Sequence, residues 1–148
     1  TVRGNATMTR QGIADFLVTM RDPRDIEERV THGDEYPVSL WQNVASPVWM
    51  DINPSDTLQY RSAREHEDER HIAPLQLEVI RRGIRLWTNP NDVVLSPFMG
   101  IGSEGYVALQ EGRRFIGAEL KDSYFRQSVA NLARVSVERQ PGLFEVSH

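Results

Sequence analysis

Apolar positions change their spacing along this chain, and each change predicts a different kind of element. In Asp15–Arg21, "DFLVTMR", Phe16, Val18 and Met20 share one face at period two, which predicts a strand, with a short helix as the alternative. Arg21–Pro37 is charged, carries a proline and has no apolar period. It predicts a long surface loop with one helical turn at Ile26–Val30. "SPVWMDI", Ser46–Ile52, predicts a second strand, closed by the turn "NPSD". From Gln59 to Arg70 charges crowd together, the pattern of a solvated helix face or loop.

Beyond this stretch the pattern sharpens. "APLQLEVIRRGIRLWTNPND" predicts a helix with Leu75, Val79, Ile80, Ile84 and Leu86 on its apolar face and Asn89-Pro90 as its stop. "DVVLSPF" then predicts a β-branched strand, "GIGSEG" a turn and "SEGYVALQEG" a helix ended by Gly112. "RFIGAEL" predicts a strand, "KDSYFRQSVANLARV" a closing helix, and "GLFEV" a third short strand. Strand, glycine turn, helix and strand in so short a span make a right-handed βαβ unit and a parallel sheet.

Composition narrows the class. With 148 residues, 39% hydrophobic and 26% charged, the chain fits one ordinary globular domain with a sizeable core. It has no cysteine, which excludes disulfides and thiolate metal sites and points to a reducing compartment. Its apolar runs are too short to span a bilayer, and no leader pattern opens it, so the expectation is a soluble cytoplasmic protein with no membrane partner. A net charge of −4 argues against a surface that clings to polyanions everywhere, although a local basic cluster could still meet nucleic acid.

The candidate chemistry sits in "LSPFMGIGSEG", Leu95–Gly105. Its G-x-G-x-x-G falls at the carboxyl end of a predicted strand, where ligands collect in open α/β sheets. Gly100 and Gly102 permit positive φ and leave the backbone bare to a ligand, and Gly105 lets the helix pack closely on the sheet. Glu119 ends the second strand, 19 residues after Gly100, where one carboxylate can accept from both hydroxyls of a ribose. NAD-type and S-adenosylmethionine sites share these features. A dinucleotide needs a second mononucleotide-binding half, and little but one helix follows Glu119; adenosylmethionine needs only one half.

The segment from His71 to Val135, with its "PF-G-G-S" turn and "FIG-EL" strand, resembles the carboxyl-terminal part of amino-group DNA methyltransferases, the adenine-N6 and cytosine-N4 class. It is most similar to those of phages and prophages. The likeness runs over Pro47–Val135, and more weakly back to Ala14, where "ADFLVTMRDP" is similar to a family strand. The resemblance implies a partial Rossmann-like α/β fold, three-layer αβα with a parallel βαβ core, lacking strands supplied by the N-terminal part. It implies S-adenosyl-L-methionine as cofactor, double-stranded DNA as substrate and a place in restriction-modification. Ser96, Pro97, Phe98, Met99, Gly100, Gly102 and Ser103 fall on the family's cofactor loop, Phe98 and Met99 as walls for the adenine. Glu119 falls on its ribose-binding acid, and His71, with Pro74, near the segment lining the methionine end. The chain departs from the pattern at Ser96, usually Asp, at Glu104, usually Thr, and in "HIAPLQ", which lacks the lysine.

Methylating an exocyclic amine requires acceptors for the NH2 and an aromatic platform for the flipped base. The family supplies them as Asp/Asn/Ser-Pro-Pro-aromatic, which this sequence lacks; "SPVW" at Ser46–Trp49 is the nearest match and reads better as a strand with Val48 and Trp49 in the core. No catalytic or DNA-contacting residue is therefore assigned. The expected organisation is residues 1–58 as the end of a target-recognition and catalytic half, and 59–148 as the cofactor half. A sheet lacking its neighbours would expose edges and apolar faces, so a homo-oligomer or the N-terminal half of the methylase is the expected partner. The alternatives are a non-catalytic methylase remnant acting as a binding module, and a small NAD-binding oxidoreductase.

Overall fold

A computed structural model describes residues 15–20, 22, 30–32, 36–58 and 74–138. The elements run α1 (Val38–Val44), α2 (Leu77–Trp87), β1 (Val93–Ser96), α3 (Ser103–Gln110), β2 (Arg114–Gly117) and α4 (Asp122–Glu138). The strands pair in parallel, Val93 opposite Arg114 and Ser96 opposite Gly117, with α3 as the crossover. The predicted strand–turn–helix–strand–helix order is thus the observed one.

Alternation along the two strands divides the sheet's faces. Val94 and Phe115 turn toward a core of Leu77, Ile80 and Ile84 from α2 and Val107 and Ala108 from α3. The inner line of α2 therefore starts at Leu77; Leu75, assigned to that face from sequence, precedes the helix and is exposed. Val93, Leu95 and Ile116 point the other way and stay open, Leu95 at 66% and Ile116 at 59% exposure. The described residues thus form helices on one face of a two-stranded sheet whose second face is bare. None of the described helices is long and apolar enough to cross a membrane.

Local chemistry explains where α3 stops. Gly112 takes φ +80°, its N–H reaching the Leu109 carbonyl, while the Arg113 N–H reaches that of Ala108. These crossed bonds satisfy carbonyls that a helix end otherwise leaves orphaned. The Arg113 side chain donates from Nε to Thr88 Oγ1 at 2.9 Å and from a terminal nitrogen to the Thr88 carbonyl at 2.7 Å, tying the end of α2 to the start of β2.

The lead-in differs from expectation. Residues 15–20 form no strand, and Phe16, Val18 and Met20 are exposed, because no neighbouring strand among the described residues offers its N–H and C=O groups. Ser46–Ile52 is likewise unpaired, and Val48 is exposed rather than in the core. Helix α1 has no counterpart in the sequence reading. It spans only two turns, follows Pro37, and has no side-chain cap. Residues 26–29 of the expected helical turn, the charged run 59–70 and "GLFEV" lie outside the described residues.

Side chains of α2 hold this lead-in. Arg82 donates to both carboxylate oxygens of Asp51, at 2.9 and 2.6 Å, and from Nε to Glu78 at 3.0 Å, while its guanidinium lies 5.2 Å from the Trp49 ring centre. Arg85 packs over buried Tyr36 and pairs with Glu111 of the α3–β2 turn, which also receives Arg81. Asp51 and Glu78 hold the Arg82 guanidinium above its ordinary pKa.

Candidate cofactor turn

The turn between β1 and α3 is wired to β2 by main chain. The Ala118 N–H donates to the Ser96 carbonyl at 3.0 Å and the Met99 N–H to the Ala118 carbonyl at 2.9 Å, so the parallel ladder continues past both strands into the glycine segment. The Gly100 N–H then donates to Glu119 Oε2 at 2.9 Å, and the Lys121 N–H to Oε1 at 2.8 Å. Each carboxylate oxygen thus receives one main-chain bond, which fixes the plane of the acid and leaves each oxygen lone-pair capacity for another donor.

The glycines divide their work. Gly100 has φ +54°, and a Cβ built there meets nothing within 4 Å, so the space above its backbone is open. Gly102 has φ +87°, and there a Cβ would stand 3.0 Å from the Ser128 Cβ; its bareness serves the approach of α4 rather than a ligand. At Gly105 a Cβ would lie 2.6 Å from the Phe115 ring and 2.8 Å from Leu132, the close helix–sheet packing expected from the sequence. Gly117, unremarked in sequence, makes room for the Phe115 ring and the Met99 sulfur.

Of the residues singled out by sequence, Ser96, Met99, Gly102 and Ser103 are buried, Gly100 and Glu119 are half-buried, and Pro97 and Phe98 are exposed. Phe98 stands out at 87% exposure, whereas Met99, at 5%, turns inward against Gly117. His71 lies outside the described residues. Glu104, second residue of α3, is partly buried, and desolvation raises its carboxyl above the usual 4.5. A hydrogen bond from its own main-chain N–H opposes that rise.

Residues on α4 that the sequence reading does not single out complete the turn. Asn131 donates from Nδ2 to the Ile101 carbonyl at 2.9 Å, and Gln127 Nε2 donates to Asn131 Oδ1 at 3.0 Å. Ser128 is fully buried against Gly102, with its hydroxyl turned to the Phe125 carbonyl. Asn131 and Ser128 belong to "RQSVANL", where the legible signal is two small polar residues on the inner face of an amphipathic helix.

The nearest match to an amine-binding motif is spent on its own fold. Ser46 Oγ donates to the Val48 carbonyl at 2.9 Å, Trp49 Nε1 donates to the Val44 carbonyl at 2.8 Å, and Arg82 covers the indole face. Among the described residues no cluster of His, Asp and Glu could hold a metal ion.

A family model described as DNA methylase matches residues 16–130. YubD of Escherichia coli K12, assigned as a methylase, is 40% identical over 84 residues, covering 57% of this chain and 35% of that protein. The type II methyltransferase M.BglII of Bacillus subtilis is 39% identical over 74 residues, covering 49% and 21%. Among solved structures, TTHA0409 of Thermus thermophilus, assigned as a DNA modification methylase and complexed with S-adenosyl-L-methionine, superposes with a TM-score of 0.56 at 25% identity. That match covers 78% of this chain and 41% of TTHA0409. The chain therefore spans about a third or less of the length of these two curated relatives.

Proposed function

The chain belongs to the DNA methylase family, and from that premise we propose that residues 59–148 form the S-adenosyl-L-methionine-binding half of an amino-group DNA methyltransferase acting on adenine N6 or cytosine N4. Residues 1–58 are then the end of its target-recognition and catalytic half.

The observation that carries this reading is the Glu119 carboxylate, preset by the Gly100 and Lys121 N–H groups beside the open space over Gly100. Two ribose hydroxyls need two acceptors at fixed spacing, and an acid already locked in plane gives up little freedom on meeting them. Phe98 offers an exposed ring for the adenine, and the open backbone at Gly100 leaves room for the rest of the cofactor. These residues fit the cofactor, which when bound supplies an electrophilic sulfonium methyl group.

Isothermal titration with S-adenosylhomocysteine tests the reading. Heat of binding that is absent with NAD supports it, and heat with NAD alone overturns it in favour of an oxidoreductase. The remnant reading draws on Ser96, buried where the family carries Asp and unable to balance an ammonium charge; silence with both ligands selects it.

Methyl transfer requires acceptors for the target amine, and Ser46 is engaged in its own turn. The chain alone is therefore expected to incorporate no labelled methyl into duplex DNA. Mixing it with a methylase portion carrying an Asp/Ser-Pro-Pro-aromatic segment should restore incorporation. The bare sheet face makes self-association or that second polypeptide the expected partner; a stable monomer in sedimentation equilibrium counts against it.

A further inference from the structure

We propose that Asn131 is a positioning residue for the cofactor turn, clamping the Ile101–Gly102 peptide so that the glycine backbone is set before ligand arrives. The inference rests on the S-adenosylmethionine reading for its purpose and on the geometry of α4 for its substance.

The peptide unit between Ile101 and Gly102 is held at both ends. Its carbonyl accepts from Asn131 Nδ2 at 2.9 Å, and its N–H donates to the Met99 carbonyl at 2.8 Å. Rotation of this peptide turns ψ of Ile101 and φ of Gly102, and Gly102, at φ +87°, has no side chain to restrict it. A peptide followed by glycine rotates at smaller cost than one between two substituted residues, and rotation would turn the Ile101 carbonyl away from α4 and reset the backbone of the turn. Asn131 opposes that rotation. It is 1% exposed, so its amide has no water to return to, and its own oxygen is satisfied by Gln127 at 3.0 Å. A buried amide with both ends engaged has one stable orientation, and breaking either bond leaves an unpaired polar group out of water. Ser128, one turn earlier, seats the Gly102 Cα against the same helix. One face of α4 thus fixes the middle of the turn while Glu119 fixes its start, a supporting shell behind the groups that meet ligand.

Asn131→Asp tests this, because it preserves shape and the acceptor for Gln127 but removes the donor to Ile101. Amide hydrogen exchange and S-adenosylhomocysteine titration are measured on the full chain, with Val129→Ala on the exposed side of the same helix as control. The Gly102 amide should exchange about tenfold faster or more in Asn131→Asp, the scale of one buried hydrogen bond lost. Ile80 and Ile84 in α2 should keep their protection, and affinity should fall by a similar factor. Asn131→Gln, which keeps the amide donor, should restore part of both. Unchanged Gly102 exchange overturns the clamp, as does acceleration shared equally by α2, which marks a general loss of packing. Should the parent chain give no binding heat, the cofactor reading fails while the exchange measurement still decides the clamp.

Discussion

The glycine turn and the lead-in are both built without much regular structure, yet they are held by opposite means. From Ser96 to Lys121 the restraints are main-chain bonds, short polar side chains and close approach: Met99 to Ala118, Gly100 to the Glu119 carboxylate, Asn131 to Ile101, Gly105 under Phe115, Gly102 against Ser128. From Tyr36 to Asp56 they are long side chains reaching out of α2, chiefly Arg82 to Asp51 and Trp49 and Arg85 to Tyr36. Short restraints with few rotatable bonds lose little freedom and fix positions closely, whereas an arginine holding a mostly exposed carboxylate gathers a segment without ordering it finely. The first suits a ligand cradle. The second suits a tether.

Gly105→Val offers the strongest way to break this contrast. Its Cβ would fall inside contact distance of Phe115 and Leu132, and overpacking of this kind costs about 1–3 kcal/mol or more. A denaturant titration should show that loss for the unit from β1 to α4; a change near zero would mean that close approach does not govern the turn. Glu119→Ala comes next. It removes the acceptors for Gly100 and Lys121 as well as those offered to ribose, so affinity for S-adenosylhomocysteine should drop about tenfold or further by titration calorimetry.

Arg82→Met sharpens the other side of the comparison. It keeps an apolar stem in α2 but releases Asp51, Glu78 and the Trp49 face. Limited proteolysis should then cut sooner between residues 45 and 56, while cofactor affinity stays within about twofold, as for sites that share no partner. Loss of affinity would show the two regions to be coupled after all.

The smallest effect is a pH dependence. Burial raises the Glu104 carboxyl above 4.5, so the folded chain holds that proton more tightly than the unfolded one. Its contribution to stability is full below 4.5 and is lost as pH climbs through the raised value. Glu104→Gln should flatten that decline in chemical denaturation run across a pH series. An unaltered slope would place the titration elsewhere.

The same contrast explains what could be read from the letters alone. The βαβ order was legible because its signals are local: β-branched runs, glycines at fixed spacing, and a helix period in α2 and α4. The place of Glu119 beside the turn was legible because it depends on distance along the chain from Gly100. Of the strands expected at 15–21 and 46–52, the described residues form neither, because period two describes a face, whereas a strand also needs a neighbour to bond with. Helix α1 escaped because it has no cap and only two turns; contact with α2 sustains it. Asn131 and Gln127 escaped for a related reason: their meaning lies in a carbonyl 30 positions from Asn131, which no window along α4 contains.

The uncovered side of the sheet carries a practical consequence. Attraction between greasy surfaces in water weakens on cooling and strengthens with excluded salts such as sulfate. Val93, Leu95 and Ile116, pointing into solvent, should therefore make this chain stickier as it is warmed or salted. It should keep best cold and dilute, and clouding that worsened toward the freezing point instead would point to some other adhesive.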